Sequence, residues 1–473
     1  MIFKKNFQNL LLFFPIAILI FLIALGFDGL YGQDGYEYAR YAIKLREFLL
    51  GGEFPGDVVW PKVYLFILAT FSLALPISLA GQLISLLAFY ACYYFLKKTI
   101  SLLYGSNEKA EPFLLIAFLL SPYILRLSVV VMADTFAMLS VIATAYYYFR
   151  YKKSSKLVDI ALCVLWGTLG VFSRYAVLVP IAPFLLWAMV HWLGIKKWKH
   201  LVVLTIPIFV FFINLLLEGS GSKFTNHHLI ENWSFLNLFK SEFFAPAGLE
   251  ISNRNYLLPN GIFYFFSFFH PGFFVLLGVA MLVNIKKLRE YLRLSPSPLI
   301  ISIILYSIFL SGITFQGNRY IALSYPLFLI FSFPAIRDFI ERLKKNYATL
   351  IVGCVLLQLT LFVRAMWPSY NMNETERNLV AEMEPFEGSV LYSFEVDISM
   401  QQRGLDFQYI SLWKEEIKDF QSGALVVFNE PRIAKLYTDK NPMKNWNRLQ
   451  QDYSLNPIKK MKSGWTLYKI EKR

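Results

Sequence analysis

The chain alternates long apolar runs with short polar punctuation, and run length is the first thing to read. A bilayer core about 30 Å thick takes roughly 17 to 25 apolar residues of helix. By that measure helices are expected near 7 to 26, 81 to 96, 112 to 125, 135 to 149, 157 to 172, 176 to 193, 201 to 217, 260 to 284, 299 to 313, 320 to 336 and 347 to 366, about eleven crossings. Residues 62 to 80 are also apolar, but counting them as a span would put Lys97 and Lys98 on the opposite side from the other basic loops. They therefore read as a re-entrant or interfacial segment. The first run has the basic front of a signal peptide and a faint cleavage-like Ala24-Leu25-Gly26, yet it is long enough to span and reads as a retained helix.

From Trp367 the pattern changes to short β-like runs, Ser389 to Phe394, Phe407 to Trp413, Ala424 to Phe428 and Trp465 to Ile470, separated by polar stretches compatible with helix. The expected organisation is an all-α polytopic membrane bundle over 1–366, with outer loops at 27–80 and 218–259, followed by a small α/β domain at 367–473.

Composition sharpens this picture. Of 473 residues 56% are hydrophobic and only 16% charged, against about 25% charged in ordinary soluble domains. The formal net charge of +14 would suggest nucleic acid in a soluble protein, but here topology accounts for it and no nucleic-acid partner is expected. With the N-terminus inside, the inner segments hold twenty basic residues, including Arg150, Lys152, Lys153, Lys286 and Lys287, and the outer segments before the last helix hold ten. The bias of Lys and Arg toward the cytoplasm then puts the C-terminal domain outside, the periplasmic face of a bacterial inner membrane. Cys92, Cys163 and Cys354 each sit alone in an apolar run and read as packing residues. His227 and His228 have no metal-ligand spacing, and neither a P-loop nor a dinucleotide fingerprint is present, so nothing supports ATP hydrolysis.

The charges that topology places outside are the candidate chemistry. Arg126, Arg174 and Arg319 sit at outer helix ends, in SPYILRLSVVVMADTF, GVFSRYAVLVP and FQGNRYIALSYP. Ionised groups at membrane depth are expensive unless paired or solvated. Together with Lys62 they suit a phosphate or diphosphate head group, since guanidinium forks match phosphate oxygens. The plainer readings are lipid head-group contact or pairing with Asp134. Acidic residues Asp28, Asp34 and Glu37 follow the first helix, and Asp34 and Glu37 share a helical face at i, i+3. Such carboxylates can take a proton from a hydroxyl acceptor. Asp134 also reads as a helix N-cap. Asn232 and Asn373 open glycosylation-like triplets, patterns short enough to arise by chance.

In order along the chain, these motifs resemble the fold-C (GT-C) membrane glycosyltransferases. The likeness is greatest to the bacterial branch related to protein O-mannosyltransferases and the lipid A aminoarabinose transferase. It rests on Gln33-Asp34-Gly35-Tyr36-Glu37-Tyr38-Ala39, on Pro61-Lys62, on Ser121-Pro122 followed by Asp134, on Ser173-Arg174-Tyr175, and on Arg319-Tyr320 with Pro326. The resemblance implies a polyprenyl-phosphate sugar as donor and a lipid, glycan or protein as acceptor. It implies Asp34 as base, Asp134 and Glu37 as further acidic site residues, and Lys62, Arg126, Arg174 and Arg319 around the donor phosphate. Tyr36, Tyr38, Tyr175 and Tyr320 would contact substrate. It leaves a divalent metal open and names no ligand for one. The chain departs from many relatives in having Gln33 beside Asp34 and Val63-Tyr64 after the lysine. A transporter or flippase of lipid-linked sugars would also use outer arginines, as would a periplasmic glycan polymerase. A transporter, though, usually builds its site from broken helices near the midplane, and a polymerase has less need of the Asp34 and Asp134 pair.

Overall fold

The computed structural model describes residues 2–56, 60–105, 107, 109–218, 233–240, 258–313, 316–343, 347–437 and 440–473. The chain forms two compact units. One comprises Met1–Gly26, Tyr41–Ala245 and Asn253–Met366, and the other Phe27–Arg40, Pro246–Ser252 and Trp367–Arg473. The expected histidine pair, Lys223, Arg254, Asn232 and most of the 218–259 loop fall outside the described residues.

The first unit is helical. In chain order its early helices are α1 (Ile2–Ala24), α2 (Gly32–Leu49, whose first turns count with the second unit), α3 (Lys62–Phe71), α4 (Ile77–Tyr104) and α5 (Glu111–Leu119). They are followed by α6 (Pro122–Leu127), α7 (Asp134–Ser154), α8 (Leu157–Val171), α9 (Leu178–Ile195) and α10 (Trp198–Glu218). α7 lies at the centre, buried along nearly its whole length, with α4, α8 and α9 packed on it. Its close approach to α8 runs through Gly170, where an added Cβ would lie 2.7 Å from Ser140 Cβ and 2.8 Å from Val177 Cγ1.

Several expected spans are interrupted or prolonged. The run 112 to 125 breaks at Ser121, whose extended backbone (ψ 115°) is what a residue preceding proline prefers. The run 260 to 284 becomes Asn260–Phe269 and Pro271–Val283, bent by 82° at His270-Pro271-Gly272. The last apolar helix does not stop at 366 but continues to Met383. Among the described residues three helices are long and apolar enough to cross a membrane, or up to five if each bent pair is one span. At 28 residues, α4 is about 42 Å long and exceeds the hydrocarbon thickness.

The second unit carries a five-stranded sheet: β1 (Val390–Ser393), β2 (Gln408–Ser411), β3 (Leu425–Phe428), β4 (Tyr453–Lys460) and β5 (Thr466–Lys472), in the order β2-β1-β3-β5-β4. β1 runs parallel to β2 and β3, while β5 is antiparallel to β3 and β4. The first pairing uses a helical crossover, Asp397–Gln402, and the second the longer chain through Phe420. β3 is buried throughout, as a central strand covered on both faces should be. Trp446, from the helix Asn441–Asp452, stacks on Phe428 with centroids 4.3 Å apart. β4 was not expected from the sequence: it is mostly polar, contains Pro457, and has a register shift between Pro457 and Lys459, all features an edge strand tolerates.

Candidate functional site

In the helical unit, charge gathers where α7 begins. Asp134, fully buried at the start of α7, takes Arg174 on Oδ1, and its Oδ2 accepts from Arg319 at 2.9 Å. It makes no capping hydrogen bond, so the capping role read from the sequence is replaced by ion pairing. Position still favours it, because a carboxylate in the first turn faces the positive end of the helix dipole.

Arg174 arrives by a tight turn. α8 ends at Val171, Ser173 Oγ and the Arg174 amide both bond back to the Gly170 carbonyl at 2.8 and 2.9 Å, and extended backbone at Arg174 leads into a 3₁₀ turn, Tyr175–Val177. The same turn holds the start of α3, since the Val63 amide donates to the Phe172 carbonyl at 2.9 Å, placing Lys62 next in chain to that contact. Arg319 sits in the single turn Asn318–Ile321, which is fixed by the Tyr306 hydroxyl donating to the Tyr320 carbonyl at 2.9 Å. The Arg174 guanidinium lies 5.4 Å from the Tyr320 ring centroid, a cation–π contact. Two guanidiniums share one carboxylate in a largely buried setting. Hydrogen bonds from such guanidiniums to an anion are charge-assisted.

Arg126 is engaged differently. It is buried on α6, with Nη1 3.3 Å from the Ala365 carbonyl and its guanidinium 5.8 Å from the Tyr123 ring. Its Nε has no hydrogen-bond partner among the described residues.

The carboxylates read from the sequence near the first helix lie in the second unit. Glu37 is clasped by Arg40 at 2.6 Å, an i, i+3 pair. Asp34 is partly exposed on the first turns of α2. Tyr36 is 1% exposed, and its hydroxyl donates to Glu376 Oε2 at 2.8 Å while accepting from Arg403 Nη2 at 3.0 Å. Burial, with Glu376 next, holds the Tyr36 phenol well above the usual tyrosine range. Burial opposes the charge of Arg403, but Tyr36 and Asp28 outweigh it and raise that pKa. Arg403 pairs with Asp28 at 2.9 Å. The buried Asn373 donates to the Asp28 carboxylate and the Leu30 carbonyl. Gly32 opens α2 with φ +64°, a conformation that favours glycine, and its amide donates to Glu376 Oε1 at 3.2 Å. Sequence reasoning missed Glu376, Arg403 and Asn373; only the cluster of polar residues just beyond the last apolar run hinted at them. Tyr38 is also buried, and Tyr175 is half-buried in the α8–α9 turn. Among the described residues no group of three or more His, Cys, Asp or Glu side chains could hold a metal ion.

No family model and no curated protein matches the sequence. Solved structures do match. ArnT from Cupriavidus metallidurans bound to undecaprenyl phosphate superposes with TM-score 0.55 at 11% identity, covering 96% of this chain and 97% of that one. Its apo form gives 0.57 at 12%, covering 98% of each. The Archaeoglobus fulgidus oligosaccharyltransferase AglB, in complex with an inhibitory peptide and a dolichol-phosphate, gives 0.52 at 10%, covering 98% of this chain and 74% of that one. At such identities the likeness is one of fold, and the fold is GT-C.

Proposed function

We propose that this chain is a membrane glycosyltransferase that moves a sugar from a polyprenyl-phosphate carrier to a lipid, glycan or protein acceptor. The observation that carries the reading is the pair of arginines held on buried Asp134, with the α3 start next to Lys62 tied into the Arg174 turn. It occurs in a fold whose solved examples hold undecaprenyl phosphate and a dolichol-phosphate. The chain would cross a bacterial inner membrane about eleven times, with the C-terminal domain periplasmic.

In the reaction the acceptor oxygen or nitrogen forms a bond to the anomeric carbon as the bond from that carbon to the phosphate oxygen breaks. The electron pair leaves with the lipid phosphate, where Arg174, Arg319 and Lys62 offset the developing charge. The acceptor proton goes to a carboxylate, the role proposed for Asp34, while Glu37 is engaged by Arg40. Asp134 serves to hold the arginines.

The test is envelope mass spectrometry in cells carrying wild type, Asp34→Asn or no protein, paired with undecaprenyl phosphate binding to the purified protein by native mass spectrometry. The Asp34→Asn variant is expected to lose the sugar modification and keep lipid binding. Unimpaired modification by that variant would remove Asp34 as base, and failure of the wild type to bind undecaprenyl phosphate would remove the donor class.

A further inference from the structure

Asp34 stands between two residues that a single distant carboxylate holds. Glu376, fully buried on the helix Tyr347–Met383, accepts the Gly32 amide on one oxygen at 3.2 Å and the Tyr36 hydroxyl on the other at 2.8 Å. It thus brackets the turn of α2 on which Asp34 lies, two residues from each contact. A second anchor comes from the C-terminal domain, where Arg403, at the end of the Asp397–Gln402 helix, donates to the Tyr36 hydroxyl at 3.0 Å. Its guanidinium also lies 5.5 Å from the Tyr36 ring centroid and pairs with Asp28 at 2.9 Å. Asn373 fixes the segment just before α2 through Asp28 and the Leu30 carbonyl. The network joins positions 340 to 344 residues apart, and residues 27–40 fold as part of the C-terminal unit.

Resting on the transferase reading above, we propose that Glu376 and Arg403 are positioning residues, and that the C-terminal domain sets the orientation of the Asp34 carboxylate through the chain Arg403 to Tyr36 to Glu376. Burial makes this more than a surface tether. An interior hydrogen-bond chain is rigid when every member is present and fails when one is removed. A carboxylate swung by even 1 Å from its acceptor can lose on the order of 100-fold in rate.

The experiment compares Glu376→Ala, Glu376→Gln, Arg403→Ala, Arg403→Lys and Tyr36→Phe in the full-length protein, with hydrogen exchange and transfer measured side by side. The amides of residues 32–40 are expected to exchange faster in Glu376→Ala, Arg403→Ala and Tyr36→Phe, while those of the β1 and β3 strands keep their protection. Transfer is expected to fall about 10- to 100-fold in kcat with little change in KM for donor. Glu376→Gln and Arg403→Lys should recover part of it, and added guanidinium should partly restore Arg403→Ala. Undecaprenyl phosphate binding should persist throughout. Unchanged exchange at 32–40 overturns the positioning role whatever the reaction proves to be, and so does normal transfer by Arg403→Ala. Absence of transfer by wild type, with exchange responding as expected, would sink only the catalytic reading.

Discussion

Replacing Asp134 with alanine strips two largely buried guanidiniums of their shared partner at once. Asp134 is fully buried, and the Arg319 and Arg174 side chains are 6% and 16% exposed. Breaking a buried pair by removing one member typically costs about 3 to 5 kcal/mol, because the remaining charge stays desolvated. Two lost hydrogen bonds to a charged acceptor, at about 1.5 to 3 kcal/mol each, give an overlapping range of about 3 to 6 kcal/mol. Reversible denaturation in bicelles, followed by tryptophan fluorescence, reads the loss. Asp134→Ala combined with Arg319→Leu is expected to lose about 1 to 3 kcal/mol less than the sum of the two single variants, since the second change removes a charge the first left stranded. Undecaprenyl phosphate should protect Asp134→Ala more than it protects wild type, its anion taking the place of the carboxylate that both guanidiniums have lost. A loss below about 1 kcal/mol, or strictly additive single variants, would refute the reasoning that this carboxylate organises the arginines.

Gly170→Ala forces a Cβ within 2.7 Å of Ser140 and 2.8 Å of Val177, and overpacking of this kind costs about 1 to 3 kcal/mol. Because the Arg174 amide bonds to the Gly170 carbonyl, thermal stability and undecaprenyl phosphate binding should fall together. Asp397 supplies a pH dependence. Its Oδ1 is buried without a hydrogen-bond partner among the described residues, and burial, against backbone hydrogen bonds from Ile398 and its own amide, pushes the carboxyl up from 3.8 to about 6. A raised carboxyl pKa means the folded chain holds the proton more tightly than the unfolded one. Its contribution to stability is therefore present at pH 4 and lost as pH rises through about 6. Chemical denaturation of the full chain should show Asp397→Asn gaining on wild type between these values, by at most about 3 kcal/mol. A difference independent of pH would refute the assignment.

Much of this arrangement was visible in residue pattern, and what was missed has physical causes. β1 and β3 announced themselves because their apolar residues are contiguous and largely buried, and β5 because buried Leu467 and Ile470 stand among polar neighbours. β4 did not, because an edge strand has one solvated side and can be polar. The bend at His270 was hidden by the aromatic residues on both sides of it, although His-Pro-Gly in that run was the available signal. Arg174, Arg319 and Asp134 were picked out singly as charges out of place, and pairing among them was one of the readings weighed. The Glu376 network left no such trace, since hydrogen bonds between residues hundreds of positions apart impose no period on either segment. Asn373 shows the hazard of short patterns: it opens a glycosylation-like triplet, yet its side chain is buried against Asp28 and Leu30.

The borders of the small sheet limit how an acceptor can meet the C-terminal domain. One border, β2, offers only four residues, and the other, β4, presents a proline, a slipped register and two lysines. Borders of this kind resist extension by an added chain. A polypeptide acceptor would thus have to be gripped by side chains on a loop or helix, and main-chain zippering onto this domain is closed to it.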